Sequence, residues 1–319
     1  MKKKLLIITP IKHIKNLFKN FSKKFKVTYK PEIKNSELYK IIDNFEIIFT
    51  NPNKSNIYFD KKLLLKAKKL QIISTASTGT NHIDEYEANK LNIKILSLKK
   101  EKKYMKQISS TAELAFALML CIVRNIIPSN KSVIQKNWDY YPFIGRQLDS
   151  LKIGVVGYGR LGKMFLGFLK GFGSDLYAYD PYIKIKNNKI EQCRSLKALF
   201  KNCNIVSVHV HLNNNTKNLI NKKNLKFFKN GGVLINTSRG ELVNEKHLLA
   251  YLKKNKMSKY GTDVLEGEIN GIKKNIIIKN FTKRDLKNRI LITPHIGGMT
   301  KEAQQMAYTY SFNKLIKNI

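Results

Sequence analysis

The sequence is poor in acidic residues, in cysteine and in tryptophan. Asp and Glu number 22 against 60 Lys and Arg, which gives a formal net charge of +38 over 319 residues. The three cysteines, Cys121, Cys193 and Cys203, are too few for a disulfide framework and lack the spacing of metal ligands. This usage favours a reducing compartment, and we expect a cytoplasmic protein.

Long apolar runs are missing too. No segment approaches the length of a membrane span. The apolar run Leu5–Ile8 follows three lysines, as in a secretory leader, but Pro10 and Lys12 end it and no small-residue cleavage site follows. We therefore expect a first β-strand here and no membrane association.

Arginine is scarce although the chain is basic. Only seven of the basic residues are arginines, and the lysines are spread along the whole chain without a basic tail or a single basic helix. Strong basicity favours anionic partners, nucleic acid among them, but an even spread is typical of solvated faces. We expect small anionic ligands rather than nucleic acid.

What is present is a specific pattern in residues 153–180. An apolar run ends in Gly157-Tyr158-Gly159-Arg160-Leu161-Gly162, a helix-spaced apolar segment follows, and a second strand-like run ends at Asp180. This is the G-x-G-x-x-G dinucleotide fingerprint in its strand–turn–helix setting. The three glycines would permit, in turn, the tight turn, the approach of a pyrophosphate and the packing of helix on strand. A glycine-rich turn without a ligand is the alternative.

Asp180 indicates which dinucleotide is bound. Its carboxylate can accept hydrogen bonds from both ribose hydroxyls and would repel a 2′-phosphate, so NAD is favoured over NADP. Lys184 and Lys186 weaken this preference, because nearby cations offset the repulsion.

The rest of the chain alternates apolar runs with helical patterns, which predicts parallel sheets with helices on both faces. In the first 100 residues we predict strands at 5–9, 46–50, 72–76 and 93–98 and helices near 11–24, 61–70 and 84–91. A second series has strands near 152–157, 175–180, 204–210, 233–236, 259–264 and 289–293. The predicted fold class is α/β with two doubly wound parallel sheets.

Two helices bear on the domain organisation. Ser110–Glu113 has the pattern of a capping box that opens an apolar helix over 114–126, which would have to be buried between domains or against a partner subunit. An amphipathic helix over 300–318 is expected to return to the first domain. We predict a flavodoxin-like domain of residues 1–103 and 297–319, a Rossmann domain of residues 104–296 inserted into it, a cleft between them, and a homodimer.

Chemistry-bearing residues follow three of the predicted strands. Arg239 comes after 233–236, Glu266 and Glu268 come after 259–264, and His295 comes after 289–293. Ligands of open α/β sheets bind at the carboxyl ends of strands, so these side chains are expected at one edge. A proton donor, a cation and an acid are the groups that hydride transfer to a 2-oxo acid requires.

On these residues the sequence resembles the D-isomer-specific 2-hydroxyacid dehydrogenases, and most of all their phosphoglycerate dehydrogenase branch. The match runs from residue 70 onward. Besides the fingerprint, the segments that carry it are Thr78–Asp84, Ser110–Glu113, Trp138–Leu148, Tyr179–Pro181, Asn236–Gly240, Asp263–Glu268, Thr293–Gly297 and Thr300–Gln304.

The resemblance implies a role for each site residue. His295 would be the general acid/base, Glu268 the carboxylate that orients it, and Arg239 the cation for the substrate. Glu266 competes for the acid role, but Glu268 has the family's spacing of five residues after Asp263. Thr78 and Gly79 match the loop whose N–H groups take up the substrate carboxylate, which makes the first domain the substrate domain.

The resemblance also implies which residues bind the cofactor NAD. It implies no metal, because hydride moves directly between cofactor and carbon. The implied cofactor-binding residues are Gly157, Gly159, Arg160, Leu161, Gly162, Asp180, Pro181, His209, Thr237, Ser238, Asp263, Gly297 and Gly298.

The substrate side departs from that branch. Two arginines typical of phosphoglycerate dehydrogenases correspond here to Asn51 and Thr75, with Lys54 as a substitute point charge. This argues against a phosphorylated substrate. The alternatives are a glyoxylate or hydroxypyruvate reductase, a sugar-acid dehydrogenase or, outside enzymology, an NADH-sensing corepressor-like protein.

Overall fold

The structure, a computed structural model, describes residues 2–52 and 57–319. They form two compact units, one of residues 1–108 with 298–319 and one of residues 109–297. We call these unit 1 and unit 2. The units divide at 108/109 and 297/298, where the sequence analysis placed the divisions at 103/104 and 296/297.

The bounds of the elements are as follows. The strands are β1 (Lys4–Ile7), β2 (Lys26–Tyr29), β3 (Ile47–Thr50), β4 (Ile72–Thr75), β5 (Lys94–Leu96), β6 (Lys152–Val156), β7 (Asp175–Tyr179), β8 (Ile190–Gln192), β9 (Ile205–Val208), β10 (Val233–Asn236), β11 (Lys259–Thr262) and β12 (Ile290–Ile292). The α-helices are α1 (Leu17–Lys24), α2 (Asn35–Ile41), α3 (Lys61–Lys66), α4 (Glu85–Lys90), α5 (Lys102–Met105), α6 (Ser110–Val123), α7 (Ile126–Ile134), α8 (Arg160–Leu169), α9 (Leu196–Asn202), α10 (Lys222–Leu225), α11 (Glu245–Lys254) and α12 (Lys301–Ile316). Single 3-10 turns lie at Ile42–Asn44, Tyr141–Phe143, Lys170–Phe172, Gly240–Leu242, Glu268–Asn270 and Ile272–Lys274.

Unit 1 is a parallel sheet in the order β2-β1-β3-β4-β5, the flavodoxin-like order. Every residue of β3 and β4 is buried, because helices cover both faces of the sheet. The C-terminal helix α12 packs on this sheet, and its Phe312 ring meets Phe21 at a centroid distance of 4.8 Å. Its Thr300 cap accepts the N–H of Ala303, so the helix begins where the sequence predicts.

Unit 2 is a parallel sheet in the order β12-β11-β10-β9-β6-β7-β8. The order reverses between β6 and β9, so the dinucleotide turn after β6 lies at the topological switch point of a doubly wound sheet. The predicted fold class is confirmed for both units. The strands β2 and β8, both at sheet edges, were not predicted.

The helix predicted over 114–126 is α6, and both predicted bounds were wrong, since α6 ends at Val123 and Ile126 begins α7. The helix α6 begins at Ser110, and Ser109 at the cap makes no side-chain bond to the backbone, since its hydroxyl donates to the Glu113 carboxylate instead. The predicted capping box therefore does not form. Ala115, Met119 and Ile122 are buried in the core of unit 2 itself, so burial of this helix requires neither another domain nor a partner.

Across the described ranges, no single helix is both long and apolar enough to cross a membrane. The pair α6 and α7, bent by 62° at the break between them, passes that test by length and composition alone.

Candidate active site

The glycine turn after β6 has the shape that a dinucleotide site requires. Gly157 has a φ of +94°, and a Cβ there would lie 2.6 Å from the carbonyl oxygen of His209. A Cβ on Gly162 would lie 2.1 Å from the carbonyl oxygen of Gly157, so only glycine lets α8 pack this closely. A Cβ on Gly159 would meet no such atom within 4 Å, and the residue lies at the N-terminal end of α8, where phosphate is favoured.

Asp180 is tied to this turn by its carboxylate. One oxygen accepts the N–H of Tyr158, inside the glycine turn, at 2.9 Å, and the other accepts those of Tyr182 and Ile183 at 2.9 and 3.2 Å. The oxygen that accepts only the N–H of Tyr158 keeps acceptor capacity for a ribose hydroxyl, whereas the other already accepts two N–H groups. The turn, the helix start and this carboxylate together fit a dinucleotide, with Pro181 exposed beside them.

His209 lies next to the glycine turn with its backbone carbonyl and not with its imidazole ring. The imidazole bonds Ser207 Oγ at 2.9 Å and lies tilted against the ring of Phe165, with ring centroids 5.3 Å apart. Burial lowers the pKa of His209 to about 3, so the ring is neutral near pH 7. The backbone carbonyl, not the imidazole, faces Gly157.

The predicted acid/base pair, His295 and Glu268, lies at the carboxyl ends of β11 and β12. His295 Nδ1 donates to Glu268 Oε1 at 2.5 Å, and the other carboxylate oxygen accepts the N–H of Leu265 at 3.0 Å. Both side chains are about one quarter to one fifth exposed, at 24% and 21%. Glu266 is exposed, so the geometry selects Glu268 of the two competing carboxylates.

His295 adopts a left-handed backbone conformation, with a φ of 56°. Five of the other six described non-glycine residues with positive φ are asparagines, which tolerate it; for histidine the conformation costs about 1–2 kcal/mol. Asp263 offsets this cost. Its carbonyl accepts the N–H of His295 at 2.9 Å, and its carboxylate accepts Thr293 Oγ1, Ile296 N and Gly297 N at 2.5, 2.8 and 2.7 Å.

The Asp263 carboxylate is therefore directed at the turn that carries His295. Burial raises the pKa of this carboxyl, and the hydrogen bonds from Thr293 and from the two backbone N–H groups oppose the rise. The contact with the nicotinamide end that the resemblance implies stays a prediction.

Arg239 follows β10 in a turn that Asn236 shapes. Asn236 Nδ2 donates to the carbonyl of Arg239 at 2.8 Å, and Ser238 Oγ donates to the carbonyl of Val208 at 2.8 Å. Burial lowers the pKa of the guanidinium, while Glu268 and Glu241 oppose this. Arginine remains charged regardless, so a cation stands near the acid/base pair. Thr237, also buried, completes this turn.

The remaining implied residues divide between the units. Thr78 and Gly79 lie in the loop after β4 of unit 1, where Ser77 Oγ donates to the Gly79 carbonyl at 2.6 Å. Gly298 also belongs to unit 1, whereas Gly297 belongs to unit 2 and accepts Thr111 Oγ1 at 3.1 Å. Lys54 lies outside the described residues.

Three residues near the acid/base pair escaped the sequence analysis. Glu241, Glu245 and Asn275 hold the backbone that carries Glu268. Glu245 follows a helix-capping asparagine, so in sequence it is an ordinary acid at a helix start. Among the residues that the structure describes, no group of three or more His, Cys, Asp or Glu could hold a metal ion.

Comparison with known proteins shows the family of the chain. Residues 116–297 match the family profile "D-isomer specific 2-hydroxyacid dehydrogenase, NAD binding domain". A D-3-phosphoglycerate dehydrogenase from Haemophilus influenzae is 30% identical over 87% of this chain, which spans only 65% of that relative's length. A glyoxylate reductase from Thermococcus litoralis is 32% identical over 77% of this chain and 73% of its own.

The fold comparison covers nearly the whole chain. A D-lactate dehydrogenase from Aquifex aeolicus, solved with NAD and lactic acid, has a TM-score of 0.81 and 26% identity over 98% of this chain and 94% of its own. The family profile covers more than half of the chain and includes the glycine turn, Arg239, Glu268 and His295. The chain belongs to the D-isomer specific 2-hydroxyacid dehydrogenases, a family of NAD-dependent oxidoreductases that act on CH–OH groups.

Proposed function

We propose that the protein interconverts a small D-2-hydroxy acid and its 2-oxo acid with NAD. The contact between His295 Nδ1 and Glu268 Oε1, at 2.5 Å, carries the proposal. It lies at the carboxyl ends of β11 and β12, next to β10, which positions Arg239. When bound at the glycine turn, NADH supplies the hydride.

The residues divide the remaining work. Glu268 holds Nδ1 of His295, which leaves Nε2 to give a proton to the carbonyl oxygen in reduction and to remove it in oxidation. The carboxylate also stabilises the imidazolium that proton transfer creates or consumes. Arg239 offers a planar fork that can bind the substrate carboxylate and polarise the carbonyl.

The substrate side is proposed to lie at the strand ends of unit 1, where three buried neutral side chains follow or end the strands. Thr9, Asn51 and Thr75 follow or end β1, β3 and β4, and all three are buried. Tyr308 of α12 closes this edge, with its hydroxyl 3.1 Å from Thr9 Oγ1. A phosphate needs a cation or a set of N–H donors, so these side chains favour a small substrate without phosphate.

A substrate panel tests the function and the substrate together. We expect NADH consumption with glyoxylate, hydroxypyruvate or pyruvate, and a kcat/KM for 3-phosphohydroxypyruvate at least about tenfold lower, a difference of about 1.4 kcal/mol in transition-state binding. A preference for 3-phosphohydroxypyruvate would contradict the substrate class. No turnover with any 2-oxo acid, together with salt-sensitive DNA binding, would favour the corepressor-like alternative.

We further propose a homodimer in the cytoplasm. Between Ile126 and Ile144, unit 2 exposes a run of large apolar side chains, and Trp138 is 88% exposed. The exposed members of this segment are Ile126, Ile127, Val133, Ile134, Trp138, Tyr140, Tyr141 and Ile144. A patch rich in Trp and Tyr is typical of interface hot spots. Three free cysteines, two of them buried, fit a reducing compartment.

The double substitution Trp138→Ala with Tyr141→Ala is expected to convert the dimer to a monomer. Light scattering on the wild type should give twice the 36.9 kDa chain mass, and on the variant the chain mass itself. Tyr86→Ala, which truncates a tyrosine 65% exposed in unit 1, is the matched control and should stay dimeric. A wild type that is monomeric at micromolar concentration would exclude the dimer.

A further inference from the structure

A buried carboxylate stands behind the acid/base pair. Glu245, the first residue of α11, is only 2% exposed. Its Oε1 accepts the backbone N–H of Glu266 at 2.9 Å, and its Oε2 accepts Nδ2 of Asn275 at 2.6 Å. Both partners belong to the segment that follows β11 and carries Glu268. The side chain therefore holds this segment through bonds that are separate from the bond between Glu268 and His295.

The backbone around Glu268 is clamped at further points. A Cβ on Gly240 would lie 2.0 Å from the carbonyl carbon of Leu265, so the two backbones are in direct contact. Glu241 Oε1 accepts the N–H of Gly267 at 3.2 Å. The N–H of Leu265 in turn donates to Glu268 Oε2 at 3.0 Å. A displacement of residues 265–267 would thus be passed directly to the Glu268 carboxylate.

Asn275 cannot reverse its amide to suit a changed partner. Its Oδ1 accepts the N–H groups of Ile277 and Ile278 at 2.8 and 3.2 Å. Its Nδ2 donates to Glu245 and also to the carbonyl of Glu266 at 3.0 Å. Position 245 is therefore faced by two fixed donors, and only an ionised carboxylate has an acceptor for each without a competing hydrogen.

We propose that Glu245 is a positioning residue for the reaction, which holds the turn of Glu268 in register with His295 only while its carboxylate is ionised. The inference rests on the proposed roles of Glu268 and His295. Glu245 touches neither substrate nor cofactor in this scheme and acts through the backbone of residues 265–268.

The surroundings of Glu245 make its ionisation relevant near neutral pH. Burial raises the pKa of Glu245 to about 7, the hydrogen bonds from Glu266 N and Asn275 oppose the rise, and the charges of Glu266 and Glu241 add to it. Tyr260 on β11, fully buried, is the other titratable group that interacts with this carboxyl. Below about pH 7 the carboxyl gains a proton that faces a donor, and the turn loses one of its two anchors.

The first test is the pH profile of 2-oxo acid reduction by the wild-type enzyme and by Glu245→Gln. We expect an acid limb in the wild-type kcat with a midpoint near 7. In Glu245→Gln this limb should vanish, and kcat at pH 8 should be about tenfold lower, with KM for NADH unchanged. Glu191→Gln, the same change on the exposed edge strand β8, is the control and should keep the wild-type profile.

Asn275→Asp provides a second, independent test of the acid limb. It places a second carboxylate beside Glu245, so the pair should share a proton and the acid limb should move to higher pH by at least about one unit. An acid limb that persists in Glu245→Gln, or that does not move in Asn275→Asp, would overturn the proposal. So would a wild-type profile without an acid limb between pH 5.5 and 8.

Thermal unfolding separates this inference from the proposed function. Because the folded pKa of Glu245 lies above the ordinary 4.5, its contribution to stability is complete below pH 4.5 and is lost as the pH rises towards 7. The difference between the Tm of Glu245→Gln and that of the wild type should therefore increase from pH 4.5 to about 7 and stay constant above it. This difference needs no substrate. If it appears while no 2-oxo acid is turned over, the proposed function fails and the buried titration stands; a pH-independent difference would refute the titration itself.

Discussion

Replacing His295 with alanine is expected to lower kcat for 2-oxo acid reduction by about 10²–10⁴-fold and to leave NADH affinity unchanged. The imidazole is the proposed proton donor to the carbonyl oxygen, and its Nδ1 bonds to Glu268 at 2.5 Å. The dinucleotide is proposed to bind at the glycine turn and Asp180, whose carboxylate accepts backbone N–H groups of residues 158, 182 and 183, so the substitution leaves those groups in place. Stopped-flow turnover and NADH fluorescence titration measure the two quantities separately.

A substitution of Glu268, the hydrogen-bond partner of His295, tests the same assignment. Glu268→Gln keeps the size of the side chain but removes the charge that stabilises the imidazolium, so kcat should fall less than in His295→Ala. Since Glu268 acts through His295, the double variant should be no slower than His295→Ala alone. A kcat for His295→Ala within about threefold of the wild type would refute the assigned proton donor, and fully additive losses would refute the coupling.

The sequence predicted the fold well where strands are buried on both faces. β9 and β10, which lie near the middle of the unit 2 sheet, are buried at every residue, and three of the four residues in each are apolar. The missed strands lie at sheet edges. β2 is only partly buried, and β8 is three residues long with Glu191 and Gln192 exposed, so neither has an apolar run to detect.

The site was predictable as far as it depends on which side chains follow the strands. The strand ends and the family resemblance singled out Arg239, Glu268 and His295, and the structure brings Glu268 and His295 into contact. The positioning role proposed for Glu245 could not be predicted in this way, because the N–H that it binds belongs to Glu266, 21 residues away. Bonds between a side chain and a distant backbone group leave no periodicity or motif, since every residue but proline offers the same N–H.

The same limit explains why Asp263 was predicted only as a cofactor contact. Its position after β11 is visible in the sequence, but the left-handed φ of 56° at His295 is not, and that conformation is what gives the Asp263 carboxylate its task. A histidine keeps a left-handed backbone conformation only where the surrounding residues restrain it. Three bonds to the carboxylate and one to the carbonyl supply that restraint.

Asp263→Ala is therefore expected to lower kcat by about a hundredfold, because it releases the turn that aims His295 and a shift of about 1 Å in a reacting group has that effect. The substitution also leaves the N–H groups of Ile296 and Gly297 without their acceptor, so Tm should fall. Thr293→Val removes one of the three carboxylate bonds, at 2.5 Å, and should give a smaller loss of the same kind.

The decisive comparison is between kcat and NADH affinity. If Asp263 serves chiefly the His295 turn, Asp263→Ala and Thr293→Val lose kcat together, in proportion to the bonds removed, while the Kd for NADH changes by less than about threefold. If Asp263 serves chiefly the cofactor, the Kd for NADH rises in Asp263→Ala alone, because Thr293→Val removes a hydroxyl that donates to that carboxylate and leaves the carboxylate itself in place. The first role thus predicts that kcat falls in both variants while the Kd for NADH is nearly constant, and the second predicts that the Kd for NADH rises in Asp263→Ala. The four bonds from Asp263 to residues 293–297 lead us to expect the first.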